Sequence, residues 1–266
     1  RGCHPGSDTL LQQIHPAGAF AVLFGAATAG IYAFLTISLH CNQNITGLAI
    51  TIFGNGVTQF LMHTYVDRSG FSTAGKIIAK CLPFAENSDG IVKVLFGHGI
   101  YVYLAIAIAL ITTFIFNRTR VGLNLRAIGE SAATADAMGV NVTKYKYVAI
   151  LIGSGIAGFG GVFYIMDYVK GSWETASTIE AFGWLAIALV IFTLWKPNIS
   201  IIGSYIFGAL YIAAFVFGNI TSSEREILKM LPYVITIIVL IITSITNKKE
   251  NQPPASLGLS YFREDR

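Results

Sequence analysis

The chain has 266 residues, of which 54% are hydrophobic and only 12% are charged. Soluble domains carry about 25% charged residues, so this composition excludes an ordinary soluble globular protein and favours an all-α, polytopic helical membrane protein. The net charge of +4 comes from basic residues scattered through polar segments, which argues against nucleic acid as a partner and for the lipid bilayer.

Seven apolar runs follow one another along the chain, and a membrane-crossing helix needs roughly 20 such residues. The predicted spans are Ala17–Leu39, Ile45–Val66, Gly99–Asn117, Val148–Met166, Ile179–Trp195, Ile201–Gly218 and Met230–Ile245. The polar opening before Ala17 shows no clear periodicity, so we expect that the N-terminus lacks a piece or starts internally.

The charges of the polar segments predict the orientation. Basic residues outnumber acidic ones in the loop 118–147, and Lys248 and Lys249 open the tail 247–266. Cytosolic segments carry an excess of Lys and Arg, so we expect both on the cytosolic side. The chain then forms one membrane domain over 1–266, with three spans and an external segment in 17–117 and four spans in 148–246.

Two spans carry unusual residues. Asn55 and Gln59 lie one helical turn apart in the second span, where polar side chains are costly unless they face the bundle interior or a cavity. The alternative is that the two side chains hydrogen-bond only to each other or to a neighbouring helix. In the fourth span Gly153, Ala157 and Gly161 recur every four residues, which predicts a smooth face for close helix packing.

Motifs for enzyme chemistry are absent from the sequence. There is no P-loop GxxxxGK[ST] and no HExxH, and the three cysteines are far apart, so we expect no metal, no cofactor and no catalytic residue. Few charges lie at span centres, unlike in most carriers driven by an ion gradient. Pumped transport would therefore need energy from another subunit.

The loop 118–147 contains a predicted short helix. Ser131 is a suitable N-cap for residues 132–138 and Gly139 a suitable terminator. Alanines on this helix permit close approach of another protein, and Arg126 and Glu130 could fix its register by ion pairs. A plain solvated loop is the alternative that spacing alone leaves open.

The loop sequence RAIGESAATADAMGVNV resembles the coupling segment of ABC importer permeases of the branched-chain amino acid, ribose and nucleoside class. The blocks NQNITGLAI, FGWLAIALVIFTLWKP and the ending from MLPYVITIIVLII to QPPASLGLSYFRED are also similar, the ending to the second permease of nucleoside importers that work with lipoprotein receptors. The resemblance covers about 42–266 and departs from the family at Asn55 and at Thr193–Leu194.

The resemblance implies ABC importer permease architecture and a place in the plasma membrane of a bacterial cell. The implied partners are an ABC ATPase subunit, a second homologous permease and an extracytoplasmic substrate-binding lipoprotein. The implied ATPase-coupling residues are Arg126, Gly129, Glu130, Ala132, Ala133, Ala137, Gly139 and Val140.

The implied solute is a nucleoside, with a sugar or a branched-chain amino acid as alternatives and a non-transport membrane scaffold as a further one. Candidate residues of the substrate path are Asn55, Gln59, Glu180, Phe182 and Trp184. Amide and aromatic groups of this kind can hydrogen-bond or stack on a base or sugar. An interfacial aromatic belt is the alternative role of Phe182 and Trp184.

Overall fold

The computed structural model describes residues 7–65, 100–169, 176–216, 221–246 and 252–262. The regular structure within these ranges is helical, which confirms the predicted all-α fold. The helices are α1 (Ser7–Ala33), α2 (Gln43–Thr64), α3 (Ile100–Arg118), α4 (Arg120–Glu130), α5 (Ala132–Ala137), α6 (Val142–Val162), α7 (Ala176–Phe192), α8 (Pro197–Val216), α9 (Ser222–Lys229) and α10 (Leu231–Thr246). Short π-helical turns, Phe34–Ser38 and Phe163–Tyr168, continue α1 and α6.

Each predicted span corresponds to one apolar helix. Four segments are long and apolar enough to cross a membrane: Gly18–Ser38, Gln43–Thr64, Tyr101–Arg118 and Val142–Ile165. Three apolar helices are shorter: Ile179–Phe192, Pro197–Ile212 and Leu231–Thr246. In hydrocarbon every backbone polar group needs an internal partner, which helices provide. The chain is therefore a polytopic helical membrane protein.

Several boundaries differ from those predicted. Helix α6 begins at Val142 rather than Val148, because the Asn141 side chain caps it by accepting a 2.9 Å hydrogen bond from the Lys144 amide. Helix α1 begins at Ser7, before the predicted span at Ala17. Helices α4 and α9 were not predicted at all. The predicted external segment, Asp67–His98, lies outside the described residues.

The described chain divides into two compact units. The first unit comprises Arg1–Leu104, Ala135–Ala176 and Gly258–Arg266, and the second comprises Ala105–Thr134 and Ser177–Leu257. The most extensive helix–helix contact lies in the first unit, between α1 and α6.

Glycines bring the backbones of α1 and α6 together. A Cβ atom placed on Gly25 would lie 2.6 Å from the Ser154 carbonyl oxygen, and one on Gly158 would lie 2.5 Å from the Ala21 carbonyl oxygen. Real Cβ atoms do not approach backbone so closely, so only glycine fits at both positions. Gly155 lies on the same side, opposite Val22.

The predicted packing face of this helix does not form the α1–α6 contact. A Cβ on Gly153 or Gly161 would meet nothing within 4 Å in the described part of the chain, and Ala157 is exposed. The contact uses the neighbouring face of α6 instead, because small residues occupy both faces and the sequence does not distinguish them. A role of the predicted face against another polypeptide stays a prediction.

In the second unit, α8, α9 and α10 pack against one another. The rings of Phe192 and Phe207 lie 5.1 Å apart, between the end of α7 and α8. Thr193, which departs from the family pattern, is buried and occupies the space beside Gly203, where a Cβ would lie 2.5 Å from its methyl group. Leu194 and Trp195 follow in left-handed conformations, with φ of 54° and 55°, so this turn forms here without glycine.

Candidate functional site

The polar loop begins with the amphipathic helix α4. The Thr119 hydroxyl caps it by accepting from the Gly122 amide at 3.2 Å. Gly122 is buried where α4 turns back on the end of α3, and an added Cβ there would overlap the backbone of Ile115 and Phe116. The buried side chain of Ile128 lies near its other end. This helix therefore fixes the direction in which the chain enters the short helix that follows.

The predicted short helix is present as α5, and its caps are those expected. The Ser131 hydroxyl accepts a hydrogen bond from the Thr134 amide at 3.3 Å. Gly139 ends the helix with φ of +84°, and its amide donates to the Asp136 carbonyl at 2.9 Å. A left-handed glycine after the last turn is a common helix terminator. The segment is thus a defined helix, and its docking on another protein stays a prediction.

The side chains of α5 divide into a buried and an exposed set. Ala132 and Ala135 are buried, with 7% and 3% of their surface exposed. Ala133 and Ala137 are exposed, and so is the following Met138, at 81%. Ala132 therefore supports the helix from within, whereas Ala133, Ala137 and Met138 are exposed on its outside. Met138 was not among the predicted coupling residues.

The charged flank of α5 makes local contacts. Arg126 donates to the Asn117 side-chain oxygen at 2.5 Å, and Glu130 is exposed. Among the described residues the one ion pair within 4.0 Å joins Lys229 and Glu226 in α9. The predicted ion pairs of Arg126 and Glu130 with a partner protein stay a prediction.

The C-terminal tail also contacts the loop, which the sequence analysis did not foresee. In the second unit, the Ser256 amide donates to the Gly129 carbonyl at 2.8 Å and its hydroxyl donates to the Glu130 carbonyl at 3.2 Å. In the first unit, the Tyr261 hydroxyl donates to Asp136 Oδ2 at 2.9 Å. The nearest sequence signal was the aromatic pair Tyr261–Phe262 in an otherwise polar tail.

The remaining coupling candidates, Gly129, Gly139 and Val140, lie at the ends of the two loop helices. Gly129 is half-buried beneath the Pro254 ring, and the Val140 amide donates to the Ala135 carbonyl at 3.0 Å. These residues shape the backbone around α5 rather than presenting large side chains.

The candidate path residues belong to different units. Asn55 and Gln59 are half-buried in α2 of the first unit. Glu180, Phe182 and Trp184 lie on α7 of the second, where the Phe182 ring packs 5.4 Å from that of Tyr211 and Trp184 is 53% exposed. Neither unit alone brings the five residues together, so the path stays a prediction.

Within the described ranges no three His, Cys, Asp or Glu side chains come close enough to hold a metal ion. The described part of the loop presents small apolar side chains flanked by charged ones, and its contact with another protein stays a prediction.

Comparison with known proteins points to membrane transport. The family model for the permease component of branched-chain amino acid transport systems matches residues 8–240. No solved structure shows a significant match.

Three curated relatives illustrate the similarity. A provisionally named glucose ABC transporter permease of Haloferax volcanii is 34% identical over 70% of this chain and 56% of its own length. A nucleoside ABC transporter permease of Lactococcus lactis is 29% identical over 83% of this chain and 70% of its own. A guanosine ABC transporter permease of Bacillus subtilis is 28% identical over 96% of this chain and 81% of its own. The match thus spans little more than half of the haloarchaeal relative.

Proposed function

The chain belongs to the family of permease components of branched-chain amino acid transport systems, and on this premise we propose that it is the membrane-spanning subunit of an ATP-driven nucleoside importer. As a permease component it is an integral membrane protein of the cell membrane. The observation that carries the coupling role is α5, a capped helix with small exposed side chains in a polar loop. The sequence has no P-loop of its own, so ATP hydrolysis falls to a separate subunit.

In this proposal an ABC ATPase receives α5 in a groove. Ala133 and Ala137 allow a close approach, Met138 adds an adaptable apolar contact, and Arg126 and Glu130 lie at the rim. Closure of the ATPases on ATP would displace α5, and the spans would respond by alternating access. Such a shift requires that the ATPase contact the helix differently in its two states.

The remaining partners follow from the transporter class. A second homologous permease would complete the path, and a substrate-binding lipoprotein would deliver the solute on the other side of the membrane. We place Asn55, Gln59, Glu180, Phe182 and Trp184 on the path, where amide and aromatic groups would bind a base and ribose. Gly153, Ala157 and Gly161 would offer a smooth face to a helix of the second permease.

The substrate proposal draws on the names of two of the relatives described above, nucleoside and guanosine permeases aligned over 83% and 96% of this chain. Glucose is the second candidate, because the relative with that name has the higher identity of 34%, although over 70% of the chain.

Capture of the ATPase tests the coupling surface. We expect a tagged wild-type chain, co-expressed with its transporter subunits, to retain an ABC ATPase during purification. Ala133→Trp should reduce that capture about 10-fold, since a bulky ring at a close contact removes at least one well-packed anchor. Ala49→Trp, at an exposed position of α2, is the matched control and should capture normally. Equal capture by both variants would refute the assignment of Ala133.

Transport in reconstituted vesicles tests the substrate. The complete transporter should take up labelled uridine or guanosine with ATP, and excess unlabelled glucose or leucine should not compete. Uptake of glucose with no uptake of either nucleoside would leave the permease role intact and replace the substrate.

A further inference from the structure

A short stretch of the tail, Leu259–Phe262, contacts two separate parts of the first unit. Its Tyr261 hydroxyl donates to Asp136 near the end of α5, at 2.9 Å. The Lys146 ammonium of α6 lies 6.0 Å from the centre of the same ring, at the outer limit of a cation–π contact. Tyr261 is therefore held between α5 and the start of α6.

The same stretch contacts the turn that joins α1 to α2. The Phe262 ring lies 4.4 Å from the His40 ring, and the Gln43 side-chain amide donates to the Leu259 carbonyl at 3.4 Å. His40 has φ of 53°, a left-handed conformation that costs a non-glycine residue energy and persists where surrounding contacts fix it. The tail thus touches the turn at both of its ends.

Helix α5 depends on such outside support. It has six residues, and isolated helices shorter than about 12 residues are marginal in water. Asp136 lies in its last turn, where a carboxylate is unfavourable against the negative end of the helix dipole. A hydroxyl donor offsets that charge, so Tyr261 stabilises the helix at its least favourable position.

We propose that Leu259–Phe262 is a positioning element for coupling, with Tyr261 as its positioning residue. It joins the end of α5 to the turn His40–Gln43, so that a displacement of α5 is passed to α1 and α2 as well as along the chain to α6. This inference rests on the proposed function, since it concerns the transmission of ATPase motion.

The tail makes further hydrogen bonds in the second unit. There Ser256 donates to the carbonyls of Gly129 and Glu130, and Pro254 packs on Gly129. These carbonyls end α4, where four acceptors lack helical partners. The tail therefore satisfies backbone groups in the second unit and a side chain in the first.

Tyr261→Phe in the complete transporter is the direct test. It removes the hydroxyl and keeps the ring, and we expect the maximal uptake rate per assembled complex to fall about 5-fold, as for loss of a hydrogen bond to a charged group. The solute concentration for half-maximal uptake should not change, and uptake is expressed per ATPase captured, so that weaker capture is not counted as weaker coupling. Asp136→Asn keeps an acceptor oxygen and should give a smaller loss. Combined with Asp136→Ala, Tyr261→Phe should add little further loss.

Tyr205→Phe removes a hydroxyl from an exposed tyrosine of α8 and should leave uptake unchanged. A purely structural role would lower the amount of assembled complex and leave uptake per complex intact, which overturns the proposal. A double variant, Asp136→Cys with Tyr261→Cys, in a chain with Cys3, Cys41 and Cys81 replaced, should be cross-linked by a short bismaleimide in membranes. Failure to cross-link also overturns the proposal. A wild-type chain that captures no ATPase overturns the proposed function and this inference together, whereas normal coupling by Tyr261→Phe overturns only the inference.

Discussion

The α1–α6 pair and the short helix α5 are held in place by different kinds of contact. Backbone lies directly on backbone between α1 and α6, where Gly25 and Gly158 leave no room for a methyl group. Helix α5 is held by two buried alanines, one hydroxyl cap and one tyrosine hydroxyl. Close-packed interfaces do not deform continuously, whereas elements with few buried contacts open at low cost. The α1–α6 pair therefore resists deformation, whereas α5 is the more easily displaced of the two, as the proposed coupling role requires.

Breaking the glycine contact should have the largest effect. Gly158→Leu forces α1 and α6 apart, because even its Cβ would lie 2.5 Å from the Ala21 carbonyl oxygen. Overpacking costs about 1–3 kcal/mol, and more where backbone opposes it, so we expect a clear drop in the thermal unfolding midpoint of the purified chain.

Gly160→Leu is the control on the same helix, since its Cβ would meet nothing within 4 Å among the described residues. It should unfold close to wild type. If both leucine variants have the same thermal unfolding midpoint, the close contact of Gly158 with α1 does not stabilise the helix pair.

The termination of α5 offers a smaller and more local test. Gly139→Ala places a Cβ at φ of +84°, which costs about 1–2 kcal/mol. The penalty falls on the helix end and not on the frame, so ATPase capture should weaken about 5-fold while thermal unfolding of the chain changes little. Gly139→Asn should retain most of the capture, because asparagine tolerates this conformation. A large loss of global stability in the alanine variant would contradict the separation of the two regions.

The membrane helices were predictable because the bilayer leaves few options. An apolar run long enough to cross must satisfy its backbone internally, and each of the seven runs is a helix. The helix ends were less predictable. A capping side chain such as Asn141 acts on an amide only three residues away, whereas hydropathy is averaged over a longer stretch and does not show where the helix begins. The face of α6 that packs on α1 was missed for a similar reason. Small residues lie on more than one side of that helix, and only the partner's backbone selects among them.

The candidate site likewise has a part that the sequence predicted and a part that it did not. Ser131 and Gly139 were found because capping is local and residue-specific. The contact of Tyr261 with Asp136 joins residues 125 positions apart, and no local pattern encodes it. Asn55 and Trp184 were predicted as path residues from their residue types alone. They belong to different units, and no sequence pattern places the two side chains relative to each other.

The charged cap of α9 provides the smallest predicted effect and a contrast with the hydroxyl cap of α5. The Thr221 amide and hydroxyl both donate to the Glu224 carboxylate, at 2.8 and 3.0 Å. These hydrogen bonds favour the ionised form and lower the pKa of Glu224 below its usual value. A lowered folded-state pKa means that the cap's contribution is present above the unfolded pKa of about 4.3 and is lost as pH falls through the folded value.

Hydrogen exchange of the α9 amides in detergent would show this dependence. The ratio of exchange rates, Glu224→Gln over wild type, should be above one at neutral pH and approach one under acidic conditions, because glutamine keeps the acceptor but does not titrate. The amides of α5 should exchange at the same rate in both proteins at every pH, since the substitution lies in α9. A ratio for α9 that stays constant with pH would mean that the carboxylate does not stabilise this helix, and that the two caps differ only in geometry.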